Sequence, residues 1–296
     1  MFGLSSVDWM ERGVPWGALV DLIAPYAPEG RRGRPPFAVE TILRIHFMQQ
    51  RFTLSEPAME EALLDMALFR DFAGLNWDTR LPDETTRRRF FASATCWMST
   101  SWHRRSWPWA TSYCAPRACC CATAWCVDAT LIAAPSPTKN ASGEGDPQKE
   151  QSQKGNQWYF GMKAHIGVDA ESGLVQKVRG TTGSVNDVVE ADALLHGEKA
   201  EAWGDAGYQG AAKRPDARDG VRWNIAMRQG KRRQLDKTKR VEQLIDPLER
   251  IEASIRAKVE QPFRVDKRQF GHVRVRYCGM KKKTAQLQTL FALSNL

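Results

Sequence analysis

The feature that most limits how this chain can fold is a break in composition between Phe90 and Val127. That stretch holds five of the eleven Trp and six of the seven Cys, yet no Asp, Glu, Lys, Leu, Ile or Gly. Neither a helical nor a strand period survives in it, so it offers no amphipathic face, and in a soluble chain it exposes aromatic surface or needs an unusual core. The composition reads as a shifted reading frame bounded by two compensating changes. Translating the gene in its other two frames checks this, since one of them must encode a Leu- and Glu-rich helical segment. The break separates three regions: 1–90, 91–126 and 127–296. Its cysteines (Cys96, Cys114, Cys119, Cys120, Cys121, Cys126) show no paired C-x-x-C spacing, and only Cys278 lies elsewhere, so no zinc site is expected.

The first region reads as helical. Val39 to Arg51 places Ile42, Ile45 and Met48 on one face, widened by Leu43 and Phe47. Before it, Pro35 and Pro36 in a basic turn stop any earlier helix. Ser55 reads as an N-cap with Pro57 in the first turn and Leu63, Leu64 and Met66 facing inward, and Leu68 to Phe72 as one more short helix. Short helices beside a basic stretch fit a DNA-reading module or a dimerisation bundle.

Order returns after the break. VDATLIAAP is a short apolar run with Asp128 inside it, the pattern of a buried strand. A polar loop, PSPTKNASGEGDPQKEQSQKGNQ, follows. Two strands then flank a turn at Asp169-Ala170-Glu171-Ser172-Gly173, and Asn186 caps a helix to Leu195. A short strand runs into the Gly-rich turn at Asp205, a further strand surrounds Ile225, and Val241 to Phe270 reads as helix that Pro247 and Pro262 interrupt or end. Strand, strand, strand, helix, strand, helix suits an α/β fold, a mixed sheet flanked by helices.

Lys and Arg number 43 against 34 Asp and Glu, a net charge of +9. That excess favours a polyanionic partner over a merely basic soluble protein, because lysine and arginine placed on phosphates release condensed counterions. No run approaches the ~20 apolar residues that span a bilayer, and the start carries Asp8 and Glu11 rather than a basic leader, so a cytoplasmic protein is expected.

Two aspartates occupy costly places. Asp128 lies in the apolar run, and Asp205 follows Trp203-Gly204 at a strand end. A carboxylate in apolar surroundings must be paired, protonated or metal-bound, and Asp128 has no basic neighbour in sequence. Brought together, the two would repel unless a divalent cation stood between them; strand-end caps or distant ion pairs are the other reading. Further on, Arg256, Glu260 and Lys267 follow R-x-x-x-E-x-x-x-x-x-x-K, which puts Arg256 and Glu260 on one helix face. Such a pair can equally be a solvated ion pair.

The strings KGNQWYFGMKAHIGVDAESGLV, GDAGYQG, IRAKVEQPFRVDKRQFG and TAQLQTLFALSNL resemble transposases of the insertion-sequence-five type, members of the DDE group. The likeness covers most of Val127–Leu296 and again Gly33–Arg89. The family's first acidic motif falls on Asp128 and its D-x-G-Y motif on Asp205 to Tyr208. Its Y-x-x-R-x-x-x-E-x-x-x-x-x-x-K motif falls on Arg256, Glu260 and Lys267, with Ala253 at the Tyr position. That departure bears on DNA contact more than on metal binding.

The resemblance implies an RNase H-like mixed sheet preceded by a small all-helical N-terminal domain. It implies that Asp128, Asp205 and Glu260 are catalytic and hold two Mg²⁺ ions, with Mn²⁺ as substitute. Mg²⁺ keeps several waters, so three carboxylates suffice. The activity implied is cleavage at insertion-sequence ends and strand transfer to target DNA, by a homo-oligomer assembled on double-stranded terminal repeats. Arg256 and Lys267 would meet phosphates, and Tyr208 would contact DNA. Lys154 and Lys163, around Trp158 and Tyr159, form a basic aromatic strip facing DNA or are ordinary strand residues. His165 reads as a packed histidine. The clusters Lys231-Arg232-Arg233 and Lys281-Lys282-Lys283 read as solvated surface that adds unspecific affinity. The rival readings are an impaired DNA-binding remnant, a metal-dependent nuclease without strand transfer, and a non-enzymatic DNA-binding regulator.

Overall fold

A computed structural model describes residues 4–27, 35–83, 85–86, 124–134, 150–154, 156–195, 200–236 and 238–295. All but the last three residues of the compositional break 91–126 lie outside this set. The chain divides into two compact units, residues 1–113 with 288–294 and 296, and residues 114–287 with 295.

The first unit contains α1 (Leu4–Gly13), α2 (Trp16–Ile23), α3 (Val39–Arg51), α4 (Glu56–Asp65) and α5 (Ala67–Ala73). Helix α3 has the bounds its spacing predicts and buries Ile42, Leu43, Ile45, Phe47 and Met48. Ser55 caps α4 by accepting from the Ala58 amide at 3.3 Å. The inward face of α4 is narrower than expected: Leu63 is buried beside Met59, while Leu64 and Met66 are exposed. Leu64 lies a residue out of the stripe, and Met66 is already extended past the helix end. Arg44 is spent on the unit's own packing, since it ion-pairs with Glu11 and Glu40 and stands 4.6 Å and 5.1 Å from the ring centres of Trp16 and Phe72.

In the second unit, strands β1 (Ala124–Ala133), β2 (Glu150–Lys154), β3 (Gln157–Asp169) and β4 (Val175–Thr182) precede α6 (Asp187–Leu194). Then come β5 (Glu201–Gly204), β6 (Arg222–Ile225), α7 (Gln229–Arg233), α8 (Arg240–Arg264), a π-helical turn (Val265–Gln269) and α9 (Met280–Asn295), of which residues 288–294 belong to the first unit. The sheet order is β2-β3-β1-β5-β6, with β4 also paired to β3. β3 is antiparallel to β1, β2 and β4, whereas β5 runs parallel to β1 and β6 parallel to β5.

Strand β1 starts at Ala124, earlier than expected, and Trp125 and Cys126 from the edge of the compositional break are among its buried residues. Strand β2 was expected as loop. Its sequence, EQSQK, has no apolar alternation to announce a strand, yet it pairs with the start of β3 at the sheet edge. The β3–β4 turn forms as expected: Asp169 Oδ2 accepts from the Ser172 amide and hydroxyl at 2.8 and 2.7 Å, and Gly173 has φ 75°. Asn186 caps α6, accepting from Val188 N at 3.3 Å.

Contrary to expectation, neither Pro247 nor Pro262 interrupts α8, a continuous helix of 25 residues. Pro247 is exposed, so its ring meets solvent rather than packed neighbours, and the helix keeps its course past it. The helix is inside out along its first half. Glu249 is buried, while Val241, Leu244, Leu248 and Ile251 face solvent, Val241 at 74% exposure.

Gly161 allows β3 to pass β1 closely, because a Cβ there would stand 2.1 Å from the Ile132 carbonyl oxygen. No side-chain rotation relieves a clash with backbone. Gly161→Ala is expected to cost about 2–3 kcal/mol, read as a lower midpoint in urea with an unchanged slope.

Candidate functional site

The register of β1 and β5 brings the two aspartates together. Val127 pairs with Gly204, so Asp128 and Asp205 are the next residues on neighbouring parallel strands, which lie about 4.8 Å apart. Each carboxylate is steadied by the backbone: Asp128 Oδ1 accepts from Ala129 N at 2.7 Å and Asp205 Oδ1 from Gly207 N at 2.8 Å. The expected burial is not what places them, since Asp128 is half-buried and Asp205 exposed. Gly204 matters here. A Cβ on it would meet the Tyr208 ring at 3.2 Å, so Tyr208 folds back beneath the strand end and fixes the turn that carries Asp205.

Helix α8 supplies the third carboxylate. The Cys126 thiol donates to the Ile255 carbonyl at 3.5 Å, tying α8 to β1. Burial pushes that thiol up to about 12, so it stays neutral and unreactive. Glu249, Ala253, Arg256 and Glu260 recur at helical spacing and line one cleft with Asp128 and Asp205, a space of about 390 Å³. Arg256 pairs at 3.5 Å with both Glu249 and Glu252, the residues on its own helix that its sequence motif leaves out. Glu249 also accepts from the Met227 amide at 3.0 Å, and Arg232, which reads from sequence as plain surface, reaches the cleft wall and pairs with Asp246 at 2.7 Å.

The profile described as Transposase DDE domain matches residues 120–296, and that described as Transposase domain (DUF772) matches residues 5–93. The chain belongs to the DDE transposase family. A cryo-EM structure of a piggyBac transposase synaptic complex with hairpin DNA is also similar, at 14% identity and a TM-score of 0.31, across 78% of this chain and 50% of that one. The chain thus spans about half the length of that structure. No helix among the described residues is long and apolar enough to cross a membrane.

DDE transposases generally use divalent metal ions. In this transposase the donor chemistry of the cleft fits a hard cation, since Asp128, Asp205 and Glu260 offer only carboxylate oxygens. Their spacing departs from the expected cage: among the described residues no three His, Cys, Asp or Glu side chains stand close enough to share one ion. One oxygen of each aspartate already binds a backbone amide, and Glu260 is exposed on its helix.

Two of the residues expected at DNA, Tyr208 and Lys163, are placed otherwise. Tyr208 is fully buried in the core with Trp125, Val127, Leu194 and Ala202, and so cannot touch DNA. Burial, then the charges of Asp128, Asp187, Asp205 and Glu190, raise its phenol well above the ordinary value. Lys163 is committed to the start of α6, donating to the Val185 carbonyl at 2.8 Å and to Asp187 at 3.0 Å. Lys154 falls in β2, its side chain outside the described set. Trp158 is exposed. Lys267 reaches Thr130 Oγ1 at 2.6 Å.

His165 is a packed histidine, as its place on a strand predicts. It is fully buried and its Nε2 lies 2.7 Å from Thr181 Oγ1, whose own hydroxyl donates to the Thr182 carbonyl. Nε2–H is therefore the donor. Burial lowers the histidine to about 4, with Asp187 opposing and Lys163 and Arg179 reinforcing. The unfolded chain then binds the proton more readily than the native one between about pH 6.5 and 4, so stability is complete above that window and falls as pH drops through it. The loss is expected to reach about 3 kcal/mol, and His165→Asn should flatten that part of a urea-midpoint profile against pH.

Proposed function

We propose that this protein cuts DNA at the ends of an insertion sequence and joins those ends to target DNA. The observation that carries this reading is the single cleft lined by Asp128, Asp205 and Glu260 on a chain of the DDE family. Support for an RNase H-like core comes from the sheet, in which β3 and β4 lie on the antiparallel side of β1 and β5 and β6 on the parallel side. Residues 127–296 are then the catalytic domain and residues 1–90 a helical domain for DNA binding or pairing of copies.

In this mechanism Asp128, Asp205 and Glu260 are the residues that would hold Mg²⁺, or Mn²⁺ in its place, drawing closer together than they stand here to share an ion. Metal bound there would supply positive charge at the scissile phosphate and favour deprotonation of the attacking water or 3′-hydroxyl. Asp128 within β1 and Asp205 just past the end of β5 would provide fixed oxygens, and Glu260 would complete the set from α8. Arg256, held by Glu249 and Glu252, offers its remaining N–H groups to a phosphate, and Lys267 neutralises a neighbouring one. The two ends of an element must be held together, so a homo-oligomer on DNA follows.

Purified protein, labelled duplexes made from the DNA on either side of the gene, a supercoiled target plasmid and MgCl₂ test the reading. Nicked ends and joined products are expected. Nicking without joined products would leave a nuclease, and binding with neither would leave an inactive remnant or a regulator.

A further inference from the structure

The π turn that ends α8 aims Lys267 where a continuing α-helix could not. The Phe270 amide donates to the Val265 carbonyl at 3.0 Å, five residues back, which widens the turn by one residue. The turn is locked from within: Asp266 is fully buried, and His272 Nδ1 lies 3.2 Å from both of its oxygens. Past the turn, the Val275 amide donates to the Ala133 carbonyl at 2.8 Å, and Arg274 bridges to Ala133, the last residue of β1. This double anchoring delivers the Lys267 ammonium to Thr130 Oγ1 at 2.6 Å. Thr130 stands two residues beyond Asp128, hence on the same face of β1.

The geometry points to Thr130 as a positioning residue that pins the Lys267 ammonium beside Asp128, ready for one phosphate oxygen of DNA. A free lysine stem samples many rotamers, and phosphate binding must then remove that freedom. A stem already held by the Asp266–His272 turn at one end and the Thr130 hydroxyl at the other has little left to lose. The phosphate part of this inference rests on the DNA-cutting reading above, whereas the pin itself does not.

Two measurements on the full chain separate them. In the first, proton exchange at the Lys267 ammonium is followed by NMR. Thr130→Val, which keeps the shape of the side chain, should speed exchange about tenfold, the scale of a hydrogen bond to a charged group, and Thr130→Ser should restore it. Equal exchange in the wild type and Thr130→Val would overturn the pin. In the second, a fluorescent duplex is titrated at several salt concentrations. Thr130→Val and Lys267→Met should each weaken binding about tenfold and flatten the salt slope by up to about one contact. The double variant should bind no more weakly than Lys267→Met alone, since Thr130 acts only through Lys267. Full additivity would overturn the assignment. A wild-type chain that neither binds nor nicks DNA would remove phosphate as the target, with the exchange measurement still deciding the pin.

Discussion

Asp128→Ala and Asp205→Ala are each expected to abolish Mg²⁺-dependent nicking, lowering the rate at least about a thousandfold, while duplex binding and the thermal midpoint hardly change. Loss of a carboxylate from a metal-binding cleft removes several kcal/mol of charge stabilisation from the transition state, which sets that scale. The structure argues that folding will survive. Asp205 is exposed, Asp128 half-buried, and the amides they accept from, Ala129 N and Gly207 N, lie within two residues along the chain. Glu260→Gln should act in the same direction, because α8 continues past Glu260 and Val259 and Phe263 keep it seated. Gel-based nicking with the thermal midpoint of each variant reads the result. Asp128→Ala protein that nicks at the wild-type rate would end the catalytic assignment.

Tyr208→Ala is expected to cost about 3–5 kcal/mol, the range for emptying a large buried ring site. For a unit of this size that is a fall in the thermal midpoint on the order of 10 °C. Tyr208 fills the space between Trp125, Leu194 and Ala202 and packs against the Cα of Gly204. Its removal leaves a hole directly under the turn of Asp205, so nicking should fall with stability. Tyr208→Phe should behave oppositely. The phenol oxygen is buried and finds no hydrogen-bond partner among the described residues, so deleting it removes an unsatisfied polar group and should leave stability equal or higher. If Tyr208→Phe lost as much as Tyr208→Ala, the hydroxyl rather than the ring would be what the site needs.

The sequence and the structure agree best where local chemistry decides. Ser55 and Asn186 cap the helices they begin, and the bounds of α3 follow its apolar period, because these signals act within one turn of chain. The pairing of Asp128 with Asp205 was legible only through the family's motifs. Nothing local to either residue sets Val127 beside Gly204; the register of β1 and β5 does. Tyr208 shows the limit of motif reading, since its place next to an acidic residue predicts DNA contact, whereas its ring satisfies the core. Glu249 carries no signal in the sequence and Arg232 reads there as plain surface, for a related reason. One sits among many charges on a long helix and the other in a basic run, and only the fold turns them toward the cleft. Strand β2 could not be read at all, because its polar sequence, EQSQK, carries no hydrophobic alternation.

The order in which the chain leaves the ribosome bears on the placement of α8. β1 emerges early, but its parallel neighbour β5 comes only after the β3–β4 hairpin and α6, and the helix tied to Cys126 follows later still. A sheet whose central strand waits on distant partners closes slowly. A half-made protein therefore carries Asp128 without Glu260. Translation must pass Glu260 before the molecule can hold the complete set of groups proposed to cut DNA.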